Sequence, residues 1–79
     1  MLIRVTQDDI RNGVQCDAML CPVALSLRRS LPGRTVTAGE FTIYIDDGMY
    51  AAPVAVEEFI ENFDDGAPVQ PFEFELELT

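Results

Sequence analysis

The clearest pattern in the sequence is the strict alternation of apolar and acidic residues over positions 72–78. A period of two is typical of a β-strand with one buried and one solvated face. We therefore predict a C-terminal strand of this kind. Its apolar face consists of Phe72, Phe74, Leu76 and Leu78. Its outer face consists of Glu73, Glu75 and Glu77.

Two other segments repeat their apolar residues with the spacing of an α-helix. Pro22 suits a first helical turn, where its missing N–H costs nothing. Pro53 opens the second segment, and Gly66 is a typical helix stop. The first apolar stripe consists of Leu20, Val23, Ala24, Leu27 and Leu31. The second consists of Val56, Phe59, Ile60 and Phe63.

Shorter elements are predicted in the first third of the chain. Residues 1–5 are a β-branched run typical of a strand. Thr6 and Asp9 have the spacing of a capping arrangement, in which the hydroxyl accepts from an early helical amide. The helix that this cap opens is brief, because Asn12 and Gly13 are typical of a helix end.

The middle of the chain predicts a small antiparallel unit. Residues 35–37 and 40–45 read as strands around a tight Ala38-Gly39 turn, with Phe41, Ile43 and Ile45 on one face. The acidic triplet at 46–48, Asp-Asp-Gly, is a turn signal, and residues 49–51 can add a short return strand.

Together these elements predict one small α+β domain over residues 1–79, in the order β-α-(α)-β-β-α-β. This is the order of the ferredoxin-like split βαβ unit, with helices on one face of an antiparallel sheet. An α+β meander with a helix on one face fits the same order.

Composition places this domain among folded proteins. The hydrophobic content is 48% and only 24% of the residues are charged, which argues against disorder despite a net charge of −9. The longest apolar stretch, residues 18–25, is interrupted by Pro22 and is too short to cross a membrane. No signal-peptide pattern is seen, so we expect a cytoplasmic protein that does not engage membranes.

Several catalytic residue types are missing. The sequence contains no His, Lys or Trp, which removes histidine bases, Ser–His or Cys–His nucleophiles and Schiff-base lysines. The Asp46-Asp47-Gly48 triplet lacks the spacing of a calcium loop. We therefore expect no enzyme, no catalytic residue, no metal ligand and no cofactor.

Cys16 and Cys21 leave three interpretations open. A metal site would need carboxylates or a second chain's thiols to complete its ligands. A redox role has the support that Cys21 precedes a helix, whose dipole lowers the pKa of a thiol. We favour the third interpretation, in which both residues fix their loop on the core. A minimal thiol- or metal-dependent enzyme is correspondingly the weakest functional hypothesis.

Charge is distributed unevenly along the chain. Residues 1–34 contain all five arginines against three acids, and residues 35–79 contain eleven acids and no basic residue. Surfaces that only confer solubility usually mix both signs, and like charges across a strand or one helical turn apart cost stability. This tolerance of self-repulsion favours steering toward a basic partner, while a merely solubilising face stays the alternative.

The candidate partner-binding residues are ten of the eleven acids in residues 35–79. Those on the last strand are spaced by about 6.6–6.8 Å, similar to phosphates along a nucleic-acid backbone. Direct nucleic-acid binding is excluded, because phosphates would repel this surface. The candidates are Asp46, Asp47, Glu57, Glu58, Glu61, Asp64, Asp65, Glu73, Glu75 and Glu77.

Asp9-Ile10-x-x-Gly13 followed by Cys21-Pro22-Val23-Ala24-Leu25 resembles small phage and prophage proteins of GC-rich bacteria. In size, acidity and lack of catalytic residue types the chain also resembles anti-CRISPR proteins. That resemblance implies a cytoplasmic inhibitor that occupies the basic, nucleic-acid-binding surface of a CRISPR effector complex. The alternative is a structural or accessory phage protein that acts as a homo-oligomer, and a homodimer is compatible with either hypothesis.

Overall fold

The structure, a computed structural model, describes residues 1–78. It confirms the α+β class, with three helices and five strands among these residues. In chain order they are β1 (Leu2–Val5), α1 (Gln7–Asn12), α2 (Pro22–Ser30), β2 (Val36–Ala38), β3 (Thr42–Ile45), β4 (Gly48–Ala51), α3 (Val54–Asp64) and β5 (Phe72–Glu75). None of the described helices is long and apolar enough to cross a membrane.

The strands form two separate antiparallel sheets within residues 1–78. One contains β1 and β5, and the other is a meander in the order β2-β3-β4. The single sheet of the ferredoxin-like interpretation is therefore not formed. The physical reason is the two-residue connection at Asp46 and Asp47, which returns the chain at once and places β4 on the open edge of β3. The meander interpretation describes this second sheet correctly.

Local sequence explains the start of both N-terminal helices. The Thr6 hydroxyl accepts from the Asp9 amide at 3.2 Å, and the Asp9 carboxylate accepts from the Thr6 amide at 2.8 Å. This reciprocal capping box confirms the predicted cap. Helix α2 begins at Pro22, as predicted, so Leu20 precedes the helix and is exposed instead of continuing its stripe.

Helix α2 lies between the two sheets. It contacts β1 on one side and β2 on the other, and it also packs on α1. Val23 and Leu27 are fully buried in the core that these elements share. Apolar side chains from both sheets complete this core, among them Ile3 and Ile43.

Helix α3 and β5 meet through their aromatic residues, as the two apolar stripes predict. The ring centroids of Phe59 and Phe72 are 4.8 Å apart, and those of Phe72 and Phe74 are 5.8 Å apart. Gly66 follows the C-cap of the helix, and its φ of 78° suits glycine. Its amide donates to Phe63 and the next amide donates to Asn62, which together form a Schellman motif.

The prediction for Phe41 is wrong. Its side chain is 65% exposed, whereas Ile43 and Ile45 on the same predicted face are buried. Strand β3 begins only at Thr42. The Gly39 amide donates to the Thr42 carbonyl at 2.9 Å, and the tight turn so formed carries Phe41 away from the core.

Two phenylalanine truncations test this division between core and surface. Phe74→Ala should lower the free energy of unfolding by about 3–5 kcal/mol, because it opens a cavity beneath the aromatic cluster. Phe41→Ala removes the same side chain from a solvated position and should change stability by less than about 0.5 kcal/mol. Urea denaturation of both variants gives the comparison, and equal losses would show that β5 does not close the core.

Candidate functional site

Four of the five arginines are paired with carboxylates. Arg28 is different, because its guanidinium donates to the carbonyls of Met19 and Val36. Most of the positive charge in the first half of the chain is thus neutralised by carboxylates of the same molecule. The pairs are Arg4 with Glu73, Arg11 with Asp8, Arg29 with Asp9, and Arg34 with Asp46.

Asp46, a predicted partner-binding residue, has a structural role at the β3–β4 turn. Its carboxylate accepts from the Thr35 amide at 3.0 Å and from the Arg34 guanidinium. The Thr35 amide and then Arg34 lower the pKa of this carboxyl below its ordinary value. Its φ of 51° places it in the left-handed region, which Asp tolerates better than most residues. Its neighbour Asp47 is exposed.

The predicted glutamate row on β5 is partly neutralised. Glu73 accepts from the Arg4 guanidinium at 2.7 Å, directly across the β1–β5 ladder. Glu75 lies 3.2 Å from the amino group of Met1. Glu77 is exposed beyond the end of the strand. The row therefore does not present three uncompensated charges.

Five of the predicted partner-binding acids lie on α3 or at its C-cap, and we call this set the α3 acidic face. None of them has a cationic group within 4 Å among the described residues. Glu58, Glu61 and Asp65 are exposed and the other two are half-buried. The members of the face are Glu57, Glu58, Glu61, Asp64 and Asp65.

The position of this face on the helix adds to its negative potential. A helix has partial negative charge at its C-terminal end, so acids there are unfavourable. Asp64 is the last residue of α3 and Asp65 is its C-cap, and the last turn holds no basic residue. Of these two acids, Asp64 alone accepts a side-chain hydrogen bond among residues 1–78, from the Cys16 amide at 2.8 Å. Charge and dipole therefore combine at one end of α3.

The ten predicted acids thus lie on three elements, and the structure does not gather them into one site. Asp46 and Asp47 are at the tip of one sheet, the glutamate row lies on the other sheet, and the α3 acidic face lies on a helix. Among residues 1–78, no three His, Cys, Asp or Glu side chains are grouped so that they could hold a metal ion.

The pair of Asp9 and Arg29 was not anticipated from the sequence. The two guanidinium nitrogens lie 2.6 and 2.9 Å from the carboxylate oxygens. The Asp9 side chain is only 5% exposed and that of Arg29 is 50% exposed. Burial raises the pKa of Asp9, but hydrogen bonds from Arg29 and Thr6 outweigh it, so the pKa is lowered. The sequence signal for this residue was its position in the predicted cap, and its burial is known only from the structure.

The two cysteines are free and occupy different surroundings. Cys21 is buried at the N-cap of α2, where its sulfur accepts from the Ala24 amide at 3.5 Å. Burial raises the pKa of its thiol and outweighs the helix amides that lower it. The lowered pKa that the redox interpretation expects for Cys21 is therefore wrong. Cys16 is exposed, with a φ of 57°, so the prediction that both cysteines pack on the core holds for Cys21 and is wrong for Cys16.

Comparison of the chain with protein-family models, with curated proteins and with solved structures finds no match. Function is therefore inferred from the geometry and charge of the residues themselves.

Replacing Asp9 should reveal the contribution of the buried pair. Asp9→Ala should lower the free energy of unfolding by about 2–3 kcal/mol, because it removes a charged hydrogen bond and half of a cap. Asp8→Ala breaks the exposed pair with Arg11 and should cost less than about 0.5 kcal/mol.

The same pair predicts a pH dependence. The pKa of Asp9 is lower in the folded protein than the ordinary 3.8, so its stabilisation is complete above that value. It is lost as the pH falls through the folded pKa. The stability gap between wild type and Asp9→Ala should therefore narrow in acid, and thermal melts between about pH 7 and pH 2 measure it. A gap that is constant with pH would contradict the assignment.

The cysteine interpretation is tested by removing both thiols. Cys16→Ala combined with Cys21→Ala should leave partner binding unchanged, with a stability loss of about 1–2 kcal/mol from the buried Cys21. A well-folded double variant that no longer binds, or stoichiometric zinc in the purified protein, would show that the cysteines are functional.

Proposed function

We propose that this chain is a non-enzymatic inhibitor that binds the basic, nucleic-acid-binding surface of a partner, with a CRISPR effector complex as the candidate partner. The α3 acidic face is the principal contact surface. The proposal places the protein in the cytoplasm of a phage-infected host cell. It needs no cofactor and no contact with nucleic acid.

The observation that carries the proposal is the lack of internal compensation on α3. The arginines neutralise acids elsewhere in the molecule, but the five acids of residues 57–65 have no cationic partner within 4 Å in the described part of the chain. Acids at a helix C-terminus destabilise the helix that carries them. A partner that supplies arginine or lysine side chains would relieve that cost, so part of the binding free energy comes from repulsion already present in the free protein.

The chemistry of the contact follows from the charge. Phosphate-binding grooves are lined with arginine and lysine. Carboxylates accept bidentate hydrogen bonds from the same guanidinium groups that bind phosphates. A net charge of −9 also speeds association with such a groove by electrostatic steering. An inhibitor of this type competes with nucleic acid for one surface and needs no catalytic group.

The alternative function, a structural or accessory phage protein that acts as a homo-oligomer, is favoured by a different observation. The edge of β4 is uncharged and unpaired among the described residues. Self-association does not require the α3 acidic face, so the two functions can be separated by experiment.

Two charge reversals with the same change in net charge test the role of the α3 acidic face. Replacing Glu57, Glu58 and Glu61 by Lys raises the net charge from −9 to −3, and so does the reversal of Glu73, Glu75 and Glu77. We expect only the first to weaken partner binding, by about tenfold or more, equal to ~1.4 kcal/mol. Affinity of the wild type should fall steeply between about 50 and 500 mM salt.

Binding is measured with host proteins captured on the immobilised chain, followed by competition with DNA for the purified partner. Circular dichroism checks that each variant folds. The β5 reversal also removes the contacts of Glu73 with Arg4 and of Glu75 with Met1, so it should melt slightly earlier. Equal weakening by both reversals would assign the effect to net charge. No weakening by either would reduce the acidity to a solubility device.

A further inference from the structure

The outer edge of β4 presents backbone groups without a partner in the described part of the chain. The Ala52 amide donates to the Phe41 carbonyl at 2.9 Å, which fixes the hydrogen-bonding phase of the β3–β4 ladder. In an antiparallel ladder, alternate residues point their N–H and C=O groups to opposite sides. Gly48 and Tyr50 therefore bond to β3, while Met49 and Ala51 direct theirs outward.

The other sheet edges are protected. On the outer edge of β2, the Ala38 amide donates to the Ala18 carbonyl and the Val36 carbonyl accepts from Arg28. Strand β5 carries charged glutamates, which discourage pairing with another strand. Strand β4 has neither covering groups nor charge, since its sequence is Gly-Met-Tyr-Ala. It is the one strand within residues 1–78 that lacks both devices.

The face above this edge is also apolar. Tyr44 and Met49 lie side by side across the β3–β4 ladder on the solvent side and are 46% and 70% exposed. No charged residue occurs in β2, β3 or β4. An uncharged surface is uncommon in a chain of this acidity, and here it adjoins the open edge.

We propose that β4 pairs antiparallel with β4 of a second copy, so that the two meanders form one continuous six-stranded sheet. The two-fold axis passes beside Tyr50, which lies opposite Tyr50 of the second copy. Met49 then forms a hydrogen-bonded pair with Ala51 of the second copy, and Ala51 with Met49 of the second copy. The proposal is independent of the proposed inhibitory function.

This register is self-complementary at its ends. It places Asp47 of one copy opposite Pro53 of the other, and Pro53 is the N-cap residue of α3. That N-terminus has no side-chain cap, and the Val54 and Ala55 amides have no acceptor among the described residues. The Asp47 carboxylate is exposed and suits this position, because first-turn amides and the helix dipole attract anions. Pro53 lacks an N–H and so ends the ladder.

Charge supports a second copy over a foreign basic strand as the occupant. In each copy Asp47, which precedes β4, would meet the N-terminus of α3 of the other copy, so this residue favours the dimer. A basic strand would gain nothing from the uncharged ladder itself. Because two copies of net charge −9 repel each other, dimerisation should strengthen with salt, whereas binding of a basic partner should weaken. The opposite salt dependences distinguish failure of this proposal from failure of the inhibitory function.

The interface is small, since only five residues of each copy, residues 48–52, form the ladder. The surface area that such a ladder buries lies at the low end for protein interfaces. We therefore expect a reversible dimer with a Kd of about 10–100 µM. Sedimentation equilibrium between about 1 µM and 1 mM should therefore show a monomer that converts to a dimer.

Two variants test the register. Ala51→Pro removes an outward N–H without touching the β3–β4 hydrogen bonds and should raise the Kd at least tenfold. Asp47→Asn should raise it by about threefold to tenfold, because the negative charge that interacts with the helix dipole is lost at both ends of the dimer. Asp8→Asn is the matched control, which removes one negative charge from an exposed position elsewhere and should leave the Kd unchanged or slightly lower. If Asp47 only adds repulsion, Asp47→Asn would tighten the dimer instead, and the register would be wrong.

Hydrogen exchange of the wild type decides the matter even if Ala51→Pro does not fold. The Met49 and Ala51 amides should become protected as concentration rises, while the Tyr50 amide is protected throughout. A monomer at all concentrations, or a dimer without new protection at Met49 and Ala51, would overturn the proposal. A monomer whose partner binding is lost in Ala51→Pro would assign the edge to a foreign strand and overturn it equally.

Discussion

The bidentate bond between Asp9 and Arg29 is the interaction on which the arrangement of the helices depends. One carboxylate caps α1 through Thr6 and at the same time binds a guanidinium from the last turn of α2. The same guanidinium donates to the Arg4 carbonyl on the outer edge of β1. Two helices and a strand are therefore fixed to one point at the rim of the core. A small domain has little core to hold its elements, so a polar anchor of this kind matters more than in a larger protein.

This anchor also shapes the electrostatics of the surface. Arginines that hold elements together, or that neutralise a turn or a strand, are not free to offset acids on α3. The result is a molecule in which the positive charges stabilise the fold, and five of the nine acids without a cationic partner among the described residues lie on α3 or at its C-cap. Compensated acids are structural in this arrangement, and the uncompensated ones are the residues open to a partner. The two groups of acids differ in whether a cationic side chain lies beside them, more than in their position in the sequence.

Periodicity predicted the elements well because burial imposes it directly. The stripe of α3 and the alternation of Phe72 and Phe74 each record a single face turned to the core. Sheet topology was not recoverable in the same way, because pairing of β1 with β5 and isolation of the meander depend on contacts distant in sequence. The acidic candidates were identified by type, but their pairing with arginines is a three-dimensional property. Asp46 and Glu73 therefore looked equivalent to Glu61 until the structure placed a guanidinium beside each.

The pairing of β1 with β5 has a consequence for the order of folding. Leu2 lies opposite Glu75, so this ladder joins residues at nearly the greatest separation in the chain. The meander and α3, by contrast, are built from neighbours in sequence. Loop-closure entropy delays distant contacts relative to local ones. During synthesis, β1 therefore cannot form its ladder until β5 has been made. Until then Ile3 and Val5 lack their neighbours across the ladder, Phe74 and Phe72.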